Sequence, residues 1–315
     1  LRPAPENDYG QRAILRVQKN ARAVLRGLTV AEGGWTNASD PGLSGTMTNE
    51  GTMEVHHCRF INNQNHTGAL ANTGRMTVMD SEFTLGNSGS GSGITSGNGV
   101  PANESALIVR RCRFTNNFSY WHGAVSVGYS RAEITGCTFD QNRATDDGSA
   151  IMVKSSQGVV ISECVLRGNN VGAVVCSQST VRIERCSFEQ NVGSFRNSGA
   201  VTAYWNSDVT IRGCWFQGNG GGAASNREGS RMVVEHSTFY GNHTGGDGGA
   251  VYQDGESLVM RHCTMVQNSA LSGGALAVST GRTADVAWNI CTGNNGLRGV
   301  DVFTAGSLHL TGLNF

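Results

Sequence analysis

A short frame of residues returns twelve times along the chain, and this repetition decides what the chain can fold into. The frame is apolar at −5 and −3, most often Cys at 0, Phe or a similar residue at +2, and Asn at +5. VRIERCSFEQN, around Cys186, shows all five positions. Position 0 falls on Leu28, Cys58, Ser81, Cys112, Cys137, Cys164, Cys186, Cys214, Ser237, Cys263, Cys291 and Leu313, at intervals of 22 to 31 residues. A Gly-Ala or Gly-Ser-Ala corner followed by Val, Ile or Leu rides on the frame at 68, 123, 148, 172, 199, 249 and 274. Alternating apolar residues in runs this short predict strands. One copy cannot bury its apolar face, whereas stacked copies can. The expectation is an all-β, right-handed parallel β-helix of about 12 coils, forming a single domain over residues 1–315. At roughly 4.8 Å per coil this makes a rod about 55 Å long. Variable intervals mean that one corner accepts insertions, and GSGSGITSGNG at 89–99 reads as the insertion in the longest interval.

Each column then has a physical reading. Eight of the nine cysteines occupy position 0, Cys176 being the exception. They read as stacked free thiols packing as small hydrophobes, because a disulfide framework implies paired spacings in a short chain. No C-x-x-C occurs, which argues against structural zinc. Asn at +5 suits a left-handed turn, and stacked amides can bond one another along the coils. The Gly-Ala corner marks a place where a side chain would strike the neighbouring coil. At −2, Glu184, Arg212, Glu235 and Arg261 alternate in sign. At −1, Asp80 precedes Arg111 and Glu163 precedes Arg185. Opposite charges on neighbouring coils fix register, so this face reads as solvated rather than as a binding site. His236 and His262 follow one another at −1, but two histidines without a third ligand make a poor metal site, and no metal or cofactor is expected.

Composition narrows the partners. With 24 basic and 24 acidic residues the net charge is zero, which gives no electrostatic reason to expect nucleic acid or an anionic membrane. No run of 18 apolar residues offers a membrane-spanning helix. Five glycosylation sequons, at Asn37, Asn65, Asn103, Asn117 and Asn242, are as many as chance supplies in so Asn-rich a chain. The chain begins and ends within coil-like motifs, so it is expected to be a segment of a larger chain or assembly, with other domains or subunits at its open ends.

Two groups of residues bear on function. In the frame, His122 shares a column with Asp147, and Asp146 lies beside it, with Arg196 two coils on. Enzymes on β-helices cut polysaccharides with exposed carboxylates and basic residues, and paired carboxylates can run glycosidic hydrolysis. Against a catalytic role, Asp before a Gly corner recurs at Asp247, and Asp is a turn residue in its own right. The second group is aromatic: Tyr120, Trp121, Tyr129, Tyr204 and Trp205 fall in turns after the Asn or Gly-Ala motifs, where rings could meet a glycan or protein ligand.

The pairing of GGAV at Gly248 and GGAL at Gly273 with FINN at Phe60, FTNN at Phe114, FDQN at Phe139, FEQN at Phe188, FQGN at Phe216 and FYGN at Phe239 resembles the repeats of the chlamydial polymorphic outer-membrane proteins. The resemblance covers most of the chain. It implies a pectate-lyase-like β-helix that serves as an extracellular or surface-displayed adhesive element. The leading expectation is therefore a non-catalytic extracellular β-helix for adhesion or structure. The alternatives are a polysaccharide lyase or hydrolase using His122, Asp146, Asp147 and Arg196, and a subunit of a large assembly held through its end coils.

Overall fold

The computed structural model describes residues 14–33, 46–97, 105–146, 148–193, 199–312 and 314. They fall into two compact units, one ending at Val159 and one beginning at Val160. Among the described residues the regular structure is all strand. Most coils of either unit contribute a five-residue strand, a three-residue strand and a third strand of mostly three or four residues, so three parallel faces are built.

In the first unit the five-residue strands are Arg22–Arg26, Thr52–His56, Arg75–Met79, Ala106–Arg110 and Arg131–Thr135. They pair in parallel without a register shift, Met53 opposite Met76 and Leu107 opposite Ala132. In the second unit they are Thr180–Glu184, Asp208–Arg212, Arg231–Glu235, Ser257–Arg261, Thr283–Ala287 and Ser307–Thr311. Burial in Arg231–Glu235 alternates as the sequence does, with Met232 and Val234 inside. A left-handed residue at −1 then turns the chain onto the three-residue strand. That strand buries its middle residue in a stack of near-parallel rings: Phe60, Phe83, Phe114 and Phe139 in the first unit and Phe188, Phe216 and Phe239 in the second, with centroids 4.7–4.8 Å apart. One strand spacing is also a good aromatic stacking distance, so the backbone repeat and the ring contacts reinforce one another.

The asparagines run up the inside. In the second unit Asn169, Asn191, Asn219, Asn242, Asn268 and Asn294 form a ladder, each Nδ2 donating to the next Oδ1 at 2.8–3.0 Å. In the first unit Asn117 donates to Asn142 at 2.9 Å. The left-handed turn falls on +4 instead, as at Asn62 and Gln141, so the ladder is what selects Asn at +5. At the third face a Cβ on Gly123 or Gly249 would stand 2.3 Å from the carbonyl oxygen of Gly148 or Gly274, which explains the Gly-Ala corner.

Four expectations need correction. Cys291 is not in the position 0 column. Cys291 pairs with Met265 in the ring column, and Asn289 takes position 0, accepting from the Cys263 N–H at 2.7 Å. Seven cysteines therefore share that column. GSGSGIT is not an insertion: Asn87–Ser90 and Ile94–Ser96 are regular strands, and the added residues lie between Ser96 and Ala106. Glu184, Arg212, Glu235 and Arg261 do stand in register, yet no ion pair joins them. The −1 pairs do close, Arg111 to Asp80 at 2.7 Å and Arg185 to Glu163 at 3.0 Å. Two of the sequons are structural, since Asn117 and Asn242 are 1% and 0% exposed in the ladder. Asn65 is buried as well, while Asn37, Asn103, Leu313 and Phe315 lie outside the described residues.

Candidate functional site: an aromatic corner on a bulge

The outward positions of the third face are buried in most described coils, Arg16, Tyr252 and Phe303 excepted. Alternation should turn every second residue outward, yet Ala71, Thr95 and Ser126 of the first unit and Val175, Thr202 and Ser225 of the second are all buried.

One corner of the first unit carries an extra parallel sheet made of Gln64–Asn65, Asn87–Ser90, Phe118–His122 and Arg143–Ala144. Asn65, Ser88, Ser119 and Ala144 point inward. Ser88 pairs with Ser119 and Ser90 with His122, so one residue, Gly89, opposes two, Tyr120 and Trp121. This is a β-bulge, a device that re-aims side chains. Tyr120 and Trp121 are both turned out, 52% and 48% exposed. The indole lies against Gly89, where a Cβ would stand 2.9 Å from its Cζ3. The His66 ring is 5.7 Å from it, tilted by 60°. Phe118 meets the Tyr120 ring edge-on at 5.1 Å, and the Thr145 hydroxyl donates to the Tyr120 carbonyl. Both exposed rings are thus braced from behind.

His122 ends the bulged strand. Its Nδ1 is 2.8 Å from Ser90 Oγ, and its backbone N–H donates to Ser119 Oγ at 3.1 Å. Gly123 N–H donates to Gly148 C=O, so the two coils hold the register that the frame implies. Asp146 is exposed on the following coil. Asp147 and Arg196 lie outside the described residues. Of the proposed catalytic set, then, the described residues place His122 and Asp146 on neighbouring coils.

The other aromatics stand at corners after the third face. Tyr129 is exposed with φ of 54°, its N–H bonded to Lys154 C=O. In the second unit the Tyr204 and Trp205 rings are 4.8 Å apart, and Trp205 is exposed at φ of 51°. His236 and His262 stack in parallel, 5.0 Å apart. No group of three metal-ligating side chains exists among the described residues. All nine cysteines are free and buried. Burial pushes the Cys176 thiol up to about 12 and Cys263 up to about 11, so neither is a ready nucleophile.

Sequence reasoning missed Gly89 and His66. The spacing carried no signal: Gly86 to Ile94 and Asn117 to Val125, the two coils that the bulge joins, both span eight residues.

Stacked three-sided coils of parallel strands define a β-solenoid. The family model for the right-handed β-helix region matches residues 42–206 and 149–315, and the chain belongs to that family. No curated protein and no solved structure matches it.

Proposed function

We propose that this β-helix is a non-catalytic binding module of the cell surface or extracellular space, adhesive in role, which takes up a glycan through Tyr120 and Trp121. The bulge carries this reading. A β-helix has no need to place two large rings opposite Gly89, yet here they are half exposed and braced by Phe118 and His66. Rigid rings with an apolar face and a polar edge are efficient contact groups, since little conformational entropy is lost when they bind. The likeness of the GGAV and FxxN repeats to surface-displayed chlamydial passengers supports the same compartment and role. Polysaccharide cleavage is the competing reading, and the exposed Asp146 beside the His122 coil is what favours it.

Glycan-array binding of the wild type, Trp121→Ala and Tyr120→Ala tests the proposal, with size profiling of every bound polysaccharide. The expected result is a restricted set of bound glycans, weakened roughly tenfold or more by Trp121→Ala, without shortening of the polymers. Binding indifferent to both substitutions would remove the platform. Shortened polymers would make the protein an enzyme, and Asp146→Asn would then be the variant expected to stop it.

A further inference from the structure

The position 0 column sets thiols one above another, away from the aromatic corners. In the second unit Cys164, Cys186 and Cys214 occupy it in successive coils. Cys164 N–H donates to Cys186 Sγ and Cys186 N–H to Cys214 Sγ, both at 3.5 Å. In the first unit Cys112 N–H donates to Cys137 Sγ at 3.4 Å. Cys58 and Cys263 lack such company. Cys58 has Ser81 in the next coil, and Cys263 stands between Ser237 and Asn289.

The stacked thiols make the same contacts coil after coil. Cys186 Sγ donates to Glu184 C=O at 3.3 Å and is 3.6 Å from Ile161 C=O. Cys214 Sγ meets Arg212 C=O at 3.5 Å and Ile183 C=O at 3.6 Å, the equivalent groups one coil on. Side chains that repeat in this way put their sulfurs one coil apart, roughly 4.8 Å. Phe188 and Phe216, two residues further along the same strands, have ring centroids 4.7 Å apart. That separation is far too long for a disulfide, whose sulfurs are about 2.05 Å apart. It is close to twice a metal–thiolate bond, which is about 2.3 Å in zinc sites. An ion midway between two such sulfurs therefore meets both at bonding distance, in a line, without either strand moving.

We infer that the thiol run of Cys164, Cys186 and Cys214 binds a soft d10 metal ion that takes two ligands in a line, of which copper(I) is the type. Thiolate is the ligand that selects such ions. Zinc takes four ligands and finds two here. The charges also balance. One monovalent ion replaces one thiol proton, which leaves for solvent, so the ion, one thiolate and one neighbouring thiol are together neutral, as burial demands. The Cys164 and Cys214 thiols on either side lower the Cys186 thiol below its ordinary value, which makes the middle residue the one to ionise. All three residues are buried, at 1%, 2% and 3% exposure, so an ion enters only when a coil opens locally, and binding is slow. Cys112 and Cys137 offer the same arrangement in the first unit.

Silver(I), a stable stand-in for copper(I), is the probe, and zinc(II) is the control. The whole chain is incubated overnight with either ion in chloride-free buffer near neutral pH. It is then washed with imidazole, which strips ions held by surface histidines, and native mass spectrometry counts the ions retained. Cys186→Ser leaves Cys164 and Cys214 two coils apart, whereas Cys214→Ser leaves the Cys164–Cys186 pair intact. Both are mild changes, because Ser81 and Ser237 already fill this column. Cys263→Ser removes a thiol that has no thiol beside it. The wild type is expected to retain silver and no zinc, with two sulfur neighbours around silver by X-ray absorption. Cys186→Ser should retain at least one ion fewer than the wild type and than Cys214→Ser, and Cys263→Ser should match the wild type. The inference is overturned if the wild type retains no silver or retains zinc equally, or if silver has nitrogen or oxygen neighbours. It is equally overturned if Cys186→Ser retains as much as Cys214→Ser, or if Cys263→Ser loses as many ions as Cys186→Ser.

Discussion

The position 0 column admits Cys, Ser and Asn because each side chain there has two jobs. In most coils it accepts the backbone N–H of position 0 in the preceding coil and donates to the carbonyl two residues before itself. Cys186 Sγ accepts from Cys164 N–H at 3.5 Å and donates to Glu184 C=O at 3.3 Å. Ser237 Oγ accepts from Cys214 N–H at 3.2 Å and donates to Glu235 C=O at 2.9 Å. Asn289 divides the work between its oxygen, 2.7 Å from Cys263 N, and its nitrogen, 2.9 Å from Ala287 O. An apolar substituent would leave a buried N–H without a partner, at a cost of about 1–3 kcal/mol. Ser237→Cys should therefore leave the urea midpoint nearly where it is, and Ser237→Ala should lower it by that amount. If the two variants unfold together, the column is merely packing and this account of its chemistry is wrong.

Among the elements, the third-face corner is the least forgiving. A Cβ on Gly249 would stand 2.3 Å from Gly274 O and 2.7 Å from Ser269 O, both backbone atoms that cannot move without shifting the next coil. Gly245, four residues earlier, has nothing within 4 Å. Gly249→Ala should cost about 1–3 kcal/mol by overpacking, and Gly245→Ala should stay within about 0.5 kcal/mol. Chemical denaturation of the pair reads the contrast, and equal midpoints would mean that the corner is looser than the carbonyl contacts require. The same elements show why the fold was readable and where reading stopped. Alternation, the Phe column and the Asn column each repeat in identity, so a frame built on any of them finds the others. Cys291 misled because position 0 and the ring column both accept a small apolar side chain, and only Asn294, three residues on, reveals the true register. The bulge left no mark in the spacing, because Gly86 to Ile94 and Asn117 to Val125 both span eight residues, and its consequence was not legible either. That consequence depends on Gly89 lying under Trp121, and Gly89 sits in what read as an insertion. The buried outer side of the third face left no trace either, because small residues such as Ala71 and Ser126 serve equally well in water.

For the chain as a whole, the buried thiols of Cys176, Cys263 and Cys291 make stability sensitive to alkali. Burial raises Cys176 and Cys291 to about 12 and Cys263 to about 11, from an ordinary value of 9.0. The sign follows from which state keeps the proton. Above about pH 9 these three thiols ionise in the unfolded chain while remaining protonated in the folded one, so the folded state binds more protons and stability falls as pH rises. The contribution is intact below the unfolded value and is lost progressively toward 11 to 12. The ion pairs of Arg22 with Glu54, Arg111 with Asp80 and Arg231 with Glu256 lie at the surface and contribute little to this balance. Cys176 isolates the effect: it is fully buried, hydrogen-bonded by no side chain that raises its value, and stacked in register on Ala203. Cys176→Ala should therefore fold, start from a lower Tm at neutral pH because of the lost volume, and lose less Tm than the wild type between pH 8 and pH 10.5. Iodoacetamide at pH 8 should leave all nine native thiols unmodified and label them once the chain is unfolded in urea. Parallel Tm curves for the two proteins, or rapid labelling of the native chain, would mean that the thiols reach water in the folded state and that the coil interior is open where it is here closed.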